Sequence, residues 1–313
     1  MKQRNDITST FLLLFYTDVD FFFGVENGGE SKENCIGKIA VGGEHNSLVI
    51  NSKDLTIAET PFDNGSTCKL YKGTLNRNGI EKWVTCKVFQ ARMTAKFRKR
   101  IEKEAKCVLQ LNHPNILRHF GVDFERSIIV SEYLEKKVSI SEGRCEYVHN
   151  ARQLIDSLEE ELPWSVRLDI MKQASNGFAY LHKKQIVHCD VKAGNIFIGG
   201  GSESRYLAKI GDFGLAVFEF GQFYLTQNTS YPESQTRKEN ERNRVGTVAY
   251  AAPELMDIGA KRNVQSDVYS FAMVMVEFSL PERSHPWEGE ITTCDLIYHH
   301  VKKEKDPLLI LKN

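Results

Sequence analysis

An α+β chain of two lobes, strand-rich first and helix-rich afterwards, is predicted by three observations. From residue 47 to residue 134, short apolar runs are punctuated by polar residues in the manner of strands. From Trp164 onward, apolar residues recur at helical spacing or form one nearly continuous run. The 313 residues are 41% hydrophobic, enough to bury a core of this size. Strands followed by helices, rather than alternating with them, is the α+β order.

Residues 1–50 hold no sustained period and carry Gly-Gly at 28–29 and 42–43, so they read as a partly ordered extension to a domain spanning 51–313. Within that domain the small lobe runs over about 51–134 and the large lobe over about 135–313. Leu48, Val49, Ile50, Leu55 and Ile57 suit short strands, and residues 82–90, with Trp83, Val84, Val88 and Phe89, form a compact one. Residues 95–111 read as a helix, because Phe97, Ile101, Ala105, Val108 and Leu109 recur on one face while the other is basic. That basic face reads as solvated. Pro114 cannot continue the helical ladder, so the helix ends there. Residues 127–134 form another strand. Residues 136–162 are polar, acidic and without a clear period, and read as an insertion with a short helix near Leu154. A long helix follows over 164–183, with Val166, Ile170, Ala174, Phe178 and Leu181 as its buried stripe. Residues 222–244 are a second polar insertion, and 266–280 a buried helix.

Charge and cysteines narrow the setting. Lys+Arg and Asp+Glu both total 41, so nothing draws the chain globally to nucleic acid or to an anionic membrane. The seven cysteines form no CxxC pair, which suggests neither a zinc site nor a disulfide framework and fits a reducing compartment. Asp18 and Asp20 break the apolar stretch 11–23, so it falls short of the ~20 residues a spanning helix needs. Its first half is also shorter than a signal peptide's apolar run. A cytoplasmic protein with no membrane span is the expectation; oligomeric state stays open.

The chemistry-bearing residues come in a fixed order. His188-Cys189-Asp190-Val191-Lys192-Ala193-Gly194-Asn195 is the densest motif. Asp212-Phe213-Gly214 begins 17 residues past Asn195, and Gly246-Thr247 then precedes Ala252-Pro253-Glu254. Phosphoryl transfer requires cations on the phosphates, oxygen ligands for a metal and a carboxylate beside the attacking hydroxyl. These motifs, so ordered and spaced, resemble the eukaryotic protein kinase family, serine/threonine type, in its tyrosine-kinase-like or receptor-like branch. The resemblance runs from about Ile57 to the C-terminus.

The resemblance implies the bilobal kinase fold, ATP with Mg2+, and protein substrates. It makes Asp190 the catalytic base, and Asn195 and Asp212 the metal ligands. Lys192 would touch the γ-phosphate; a lysine at this position favours serine or threonine over tyrosine, and Thr247 would support it. Val84-Thr85-Cys86-Lys87 resembles the family's third-strand motif. Lys87 would contact the α- and β-phosphates and pair with Glu104, which stands nine residues before His113, the family's spacing. Leu70 and Thr85 would roof the adenine and Phe197 would floor it. Ser131 falls at the gatekeeper position, and main-chain groups of Glu132 and Leu134 would bond the adenine edge. Phe213, His188 and Val108 would stack as a regulatory spine, and Asp267 would bond the catalytic loop's backbone.

Several positions depart from the pattern. Asp63, Gly65 and Cys68 align with the three glycines of the phosphate-covering loop, so one glycine survives and weaker ATP affinity is expected. Cys189 replaces an arginine that usually meets a phosphate on the activation loop. The chain stops 59 residues after Glu254 with no arginine to pair with it, which reads as a truncated large lobe. Two functions follow: an active serine/threonine kinase, or a pseudokinase acting as a nucleotide-binding or scaffold module.

Overall fold

The computed structural model describes residues 48–65, 68–89, 94, 98–99, 101–102, 105, 108–140, 144–157, 162–200, 205–218, 249–256 and 262–279. The expectations for the rest of the 1–50 extension, for Glu104, for Thr247, for the 222–244 insertion and for the chain after Ser279 lie outside the described residues.

The small lobe is a six-stranded sheet. Its strands are β1 (Leu55–Ile57), β2 (Asp63–Asn64), β3 (Cys68–Arg77), β4 (Ile80–Phe89), β5 (His119–Asp123) and β6 (Ile128–Glu132). The order is β1-β3-β4-β6-β5, with β2 paired to β3. β3 and β4 close through Asn78 (φ 54°) and Gly79 (φ 80°), residue types that tolerate the positive φ of a two-residue hairpin turn. The register sets Lys87 on β4 opposite Leu70 on β3 and Ile129 on β6, with Thr85 opposite Ser131. Leu70, Thr85, Lys87, Ile129 and Ser131 therefore share one face of the sheet, because strand side chains alternate. Arg98, Lys99, Ile101, Glu102, Ala105 and Val108 are helical, and Ile101, Ala105 and Val108 are buried, as the helical period predicts.

The larger lobe is built on α1 (Ala151–Ser157), α2 (Trp164–Lys183) and α3 (Val264–Ser279). Two short hairpins join them: β7 (Lys136–Ser139) with β8 (Cys145–Val148), and β10 (Ile196–Gly199) with β11 (Leu207–Ile210). β9 (Ile186–Val187) pairs with β12 (Val217–Phe218). One apolar core holds Ile170, Ala174, Phe178 and Leu181 of α2, Phe271 and Val274 of α3, and Ile196 and Ile210 of the hairpin.

Two sequence readings are corrected. Residues 136–162 hold the short helix expected near Leu154, α1, but also a β7–β8 hairpin that their pattern did not suggest. In α2 the residue next to Val166, Arg167, is the buried one: Nη1 donates to the Phe278 carbonyl at 2.6 Å and Nε to the Leu162 carbonyl at 2.9 Å. A guanidinium can be buried when carbonyls satisfy it, and the C-terminal carbonyls of α3 favour a cation there. Val49 and Ile50, read as strand-like, are paired with β5 and so form part of the sheet's edge.

Candidate active site

The loop between β9 and β10 carries the densest motif. Asp267, buried near the start of α3, accepts from the backbone N–H of His188 at 2.7 Å and of Cys189 at 2.9 Å. His182 lies 3.0 Å from the same carboxylate. This grip matters because Cys189 sits at φ 66°, a conformation costly for a residue with a side chain unless its surroundings enforce it. Asp267 thus has the positioning role expected of it. His188 also reaches the Gly211 carbonyl with Nε2 at 3.0 Å, tying the loop to the strand end before Asp212.

Asp190, Lys192 and Asn195 converge. Lys192 Nζ donates to Asp190 Oδ2 at 2.8 Å, and Asn195 Nδ2 donates to the same oxygen at 2.9 Å and to the Asp190 carbonyl at 2.7 Å. Across the cleft, Lys87 Nζ donates to Asp212 Oδ1 at 2.7 Å. The Lys87 ammonium holds the Asp212 carboxyl down at about 2, against the opposing effect of burial. Asp212 is therefore ionised at any physiological pH. It too has a positive φ, 61°, which turns its side chain back toward Lys87.

A cavity of about 400 Å³ lies between the lobes. Its wall includes Gly65, Leu70, Thr85, Lys87, Ser131, Lys192, Asn195, Phe197 and Asp212, the expected residues from both lobes. Asp63 and Cys68 line it as well, so the degenerate loop does border the site. Asp190 stands behind this wall, held by Lys192 and Asn195, which belong to it. Glu132 and Leu134 are not in the wall. The Glu132 carboxylate is occupied by Lys209 Nζ at 2.7 Å and the Arg118 N–H at 2.6 Å, and the Leu134 carbonyl lies 2.9 Å from His149 Nδ1. The rings of His188 and Phe213 are 5.4 Å apart, and Phe213 and Val108 share one core cluster, as the spine expectation requires.

The donor chemistry suits Mg2+. The Asn195 amide spends its N–H groups on Asp190, and Lys87 takes one oxygen of Asp212. Among the described residues no hydrogen bond reaches Asn195 Oδ1 or Asp212 Oδ2. Two hard oxygens on one cavity wall are the ligand type magnesium takes beside phosphates.

Sequence reasoning missed Leu117, His119, Asn150, Arg152 and Gln153 in this wall. Leu117 and His119 alternate at the entry to β5, a period-two signal that could have found them. The other three follow a segment whose hairpin had left no periodic trace.

A strand-rich lobe over a helical one, with ammonium, carboxylate and amide groups gathered at the cleft, is the arrangement of the protein kinase class. A family model for protein tyrosine and serine/threonine kinases matches residues 57–306, and the chain belongs to that family. Its relatives place it on the serine/threonine, receptor-like side. The receptor-interacting serine/threonine-protein kinase 1 of Homo sapiens is 32% identical over 198 residues, covering 62% of this chain and 26% of that protein. A probable serine/threonine-protein kinase of Dictyostelium discoideum is 31% identical over 229 residues, 73% of this chain and 48% of that protein. An EPD1-interacting receptor-like cytoplasmic serine/threonine-protein kinase of Gossypium barbadense is 34% identical over 185 residues, 58% and 34% of the two chains. The chain spans between about a quarter and a half of the length of these relatives. Among the described residues no helix is long and apolar enough to cross a membrane.

Proposed function

We propose that the chain transfers the γ-phosphate of ATP to serine or threonine hydroxyls of proteins. The observation that carries this is the convergence of Lys192 and Asn195 on one oxygen of Asp190, at 2.8 and 2.9 Å, beside the cavity that holds Lys87 and Asp212. The substrate oxygen attacks the γ-phosphorus while the bond to the β–γ bridging oxygen breaks, and Asp190 takes the hydroxyl proton. Lys192 steadies the γ-phosphate, and Lys87 the α- and β-phosphates, with Glu104 as its partner on the helix. Asn195 and Asp212 would hold magnesium, which when bound would supply positive charge to the phosphate oxygens. Leu70, Thr85 and Phe197 sandwich the adenine beside Ser131.

Placement in the cytoplasm agrees with Cys68, Cys86, Cys145 and Cys189, among the described residues, forming no disulfide, and with the printed name of the Gossypium barbadense relative.

Asp63 and Cys68 in the cavity wall favour a second reading, a nucleotide-binding scaffold without transfer. One experiment separates the two. Purified chain receives labelled ATP, magnesium and a generic protein substrate, beside an Asp190→Asn variant. Loss of incorporation by roughly 10²–10⁴-fold in the variant supports the base role. Phosphoamino-acid analysis should find serine or threonine. A scaffold would gain thermal stability from ATP, about 2.7 kcal/mol at a hundred times Kd, yet incorporate no label.

A further inference from the structure

Residues 48–52 precede the 57–306 span that matches the kinase family, yet they are built into the small lobe. β5 is the last strand of the sheet, and an edge strand leaves main-chain groups unpaired. Residues 48–50 cover that edge. The Val122 N–H donates to the Leu48 carbonyl at 2.8 Å, and the Ile50 N–H donates to the Val122 carbonyl at 2.9 Å. Leu48 packs, with Phe89, on the cluster Ile101, Ala105, Val122, Phe124 and Ile129. Ile101 and Ala105 are buried helical residues. Ser52 anchors the other end: its hydroxyl lies 2.9 Å from Asp123 Oδ2 and 2.8 Å from Glu125 Oε2. Arg126 Nη2 donates to the Ser52 and Leu55 carbonyls, both at 3.0 Å.

We propose that residues 48–52 form a strap that holds the helix of Ile101 and Ala105 against the sheet and so supports the transfer at Lys87. The consequence for catalysis rests on the kinase reading above. Two features make the strap releasable. A cavity of about 440 Å³ opens between Val49, Ile50, Asn51 and Ser52 on one side and Arg98, Phe124 and Glu125 on the other. The Ser52 hydroxyl has a single proton to share between two carboxylates, so a negative charge at that position turns the anchor into a repulsion. Leu48, Ile50 and Ser52 are positioning residues on this account, since none touches the cavity between the lobes.

The test uses the full chain and three variants: Leu48→Ala, Ser52→Asp and the conservative Leu48→Met. Steady-state transfer to a generic protein substrate is measured together with amide hydrogen exchange over residues 98–111 and 264–279. Leu48→Ala and Ser52→Asp should each lower kcat about tenfold, with faster exchange confined to 98–111, and Leu48→Met should retain both properties. Unchanged kcat in both disruptive variants overturns the proposal, and so does exchange that quickens equally over 264–279, the mark of general destabilisation. Should the unaltered chain transfer no phosphate, the kinase reading fails while the exchange data still decide the strap: quickening confined to 98–111 upholds it, and its absence refutes it.

Discussion

His119 stands at the start of β5 in the wall of the inter-lobe cavity, its Nδ1 3.1 Å from the Leu117 carbonyl and its ring 6.0 Å from that of Phe213. Burial first, and the Lys87 ammonium after it, pull its pKa down from 6.5 to about 4. A neutral ring is therefore favoured in the folded chain, while the unfolded chain protonates near 6.5. The stability that depends on this ring is complete above pH 6.5 and is lost as pH falls toward 4. We expect a His119→Phe variant to show a flatter melting temperature between pH 6.5 and 4 than the unaltered protein, as read by thermal denaturation across that range. Two other residues show what a sequence conceals at this scale. Cys189 and Asp212 adopt positive φ, which is uncommon for a residue with a side chain and least expected of the cysteine, and distant partners bind them there: Asp267 the first and Lys87 the second. Strain of roughly 1–3 kcal/mol at each such position persists only where the surroundings over-determine it.

At the scale of elements, amphipathic period was the legible signal. The bounds of α2 agree with the apolar stripe, and α3 with its continuous apolar run, because each buries a face wide enough to imprint the sequence. The β7–β8 hairpin left no such imprint. Of its eight residues only Lys136, Val138 and Val148 are buried, and the Lys136 ammonium is satisfied by the Arg205 carbonyl at 3.1 Å and the Tyr206 ring 4.6 Å away. A buried lysine supported by a remote segment cannot be inferred from local pattern. Packing between elements also decides the sign of one substitution. A Cβ on Gly177 of α2 would lie 2.6 Å from the Asn115 carbonyl oxygen and 2.8 Å from Ile210 Cγ1. That oxygen already accepts from the Ile210 N–H at 2.9 Å. Helix propensity favours alanine over glycine by about 1 kcal/mol, but overpacking costs about 1–3 kcal/mol. Gly177→Ala should therefore lower stability, seen as an earlier midpoint in urea unfolding.

For the whole molecule, Glu277 joins segments far apart in sequence. Its fully buried carboxylate in α3 pairs with Arg152 of α1 and accepts from the Tyr250 hydroxyl at 2.7 Å, beside Ala252-Pro253-Glu254. Burial, and then the Glu277 carboxylate, push the Tyr250 pKa up, so the hydroxyl remains a donor. Arg152 also pairs with Asp156 and lines the inter-lobe cavity, so one network links the wall of that cavity to the core. Breaking a buried pair costs about 3–5 kcal/mol; because Arg152 keeps Asp156, we expect Glu277→Ala to cost about 3 kcal/mol, measured by chemical denaturation. The Asp190, Asn195 and Asp212 motifs, their order and the lysine on a strand were all legible beforehand, because reactive side chains must sit at fixed offsets on tight turns and short strands. The class of the protein follows from those offsets alone. Only the folded chain decided that Lys87 meets Asp212 across the cleft, that His119 and Arg152 join the wall, and that residues 48–50 close the sheet edge. Each of those contacts unites segments separated by tens of residues or more, and the burial that gives it strength exists only after the lobes have packed.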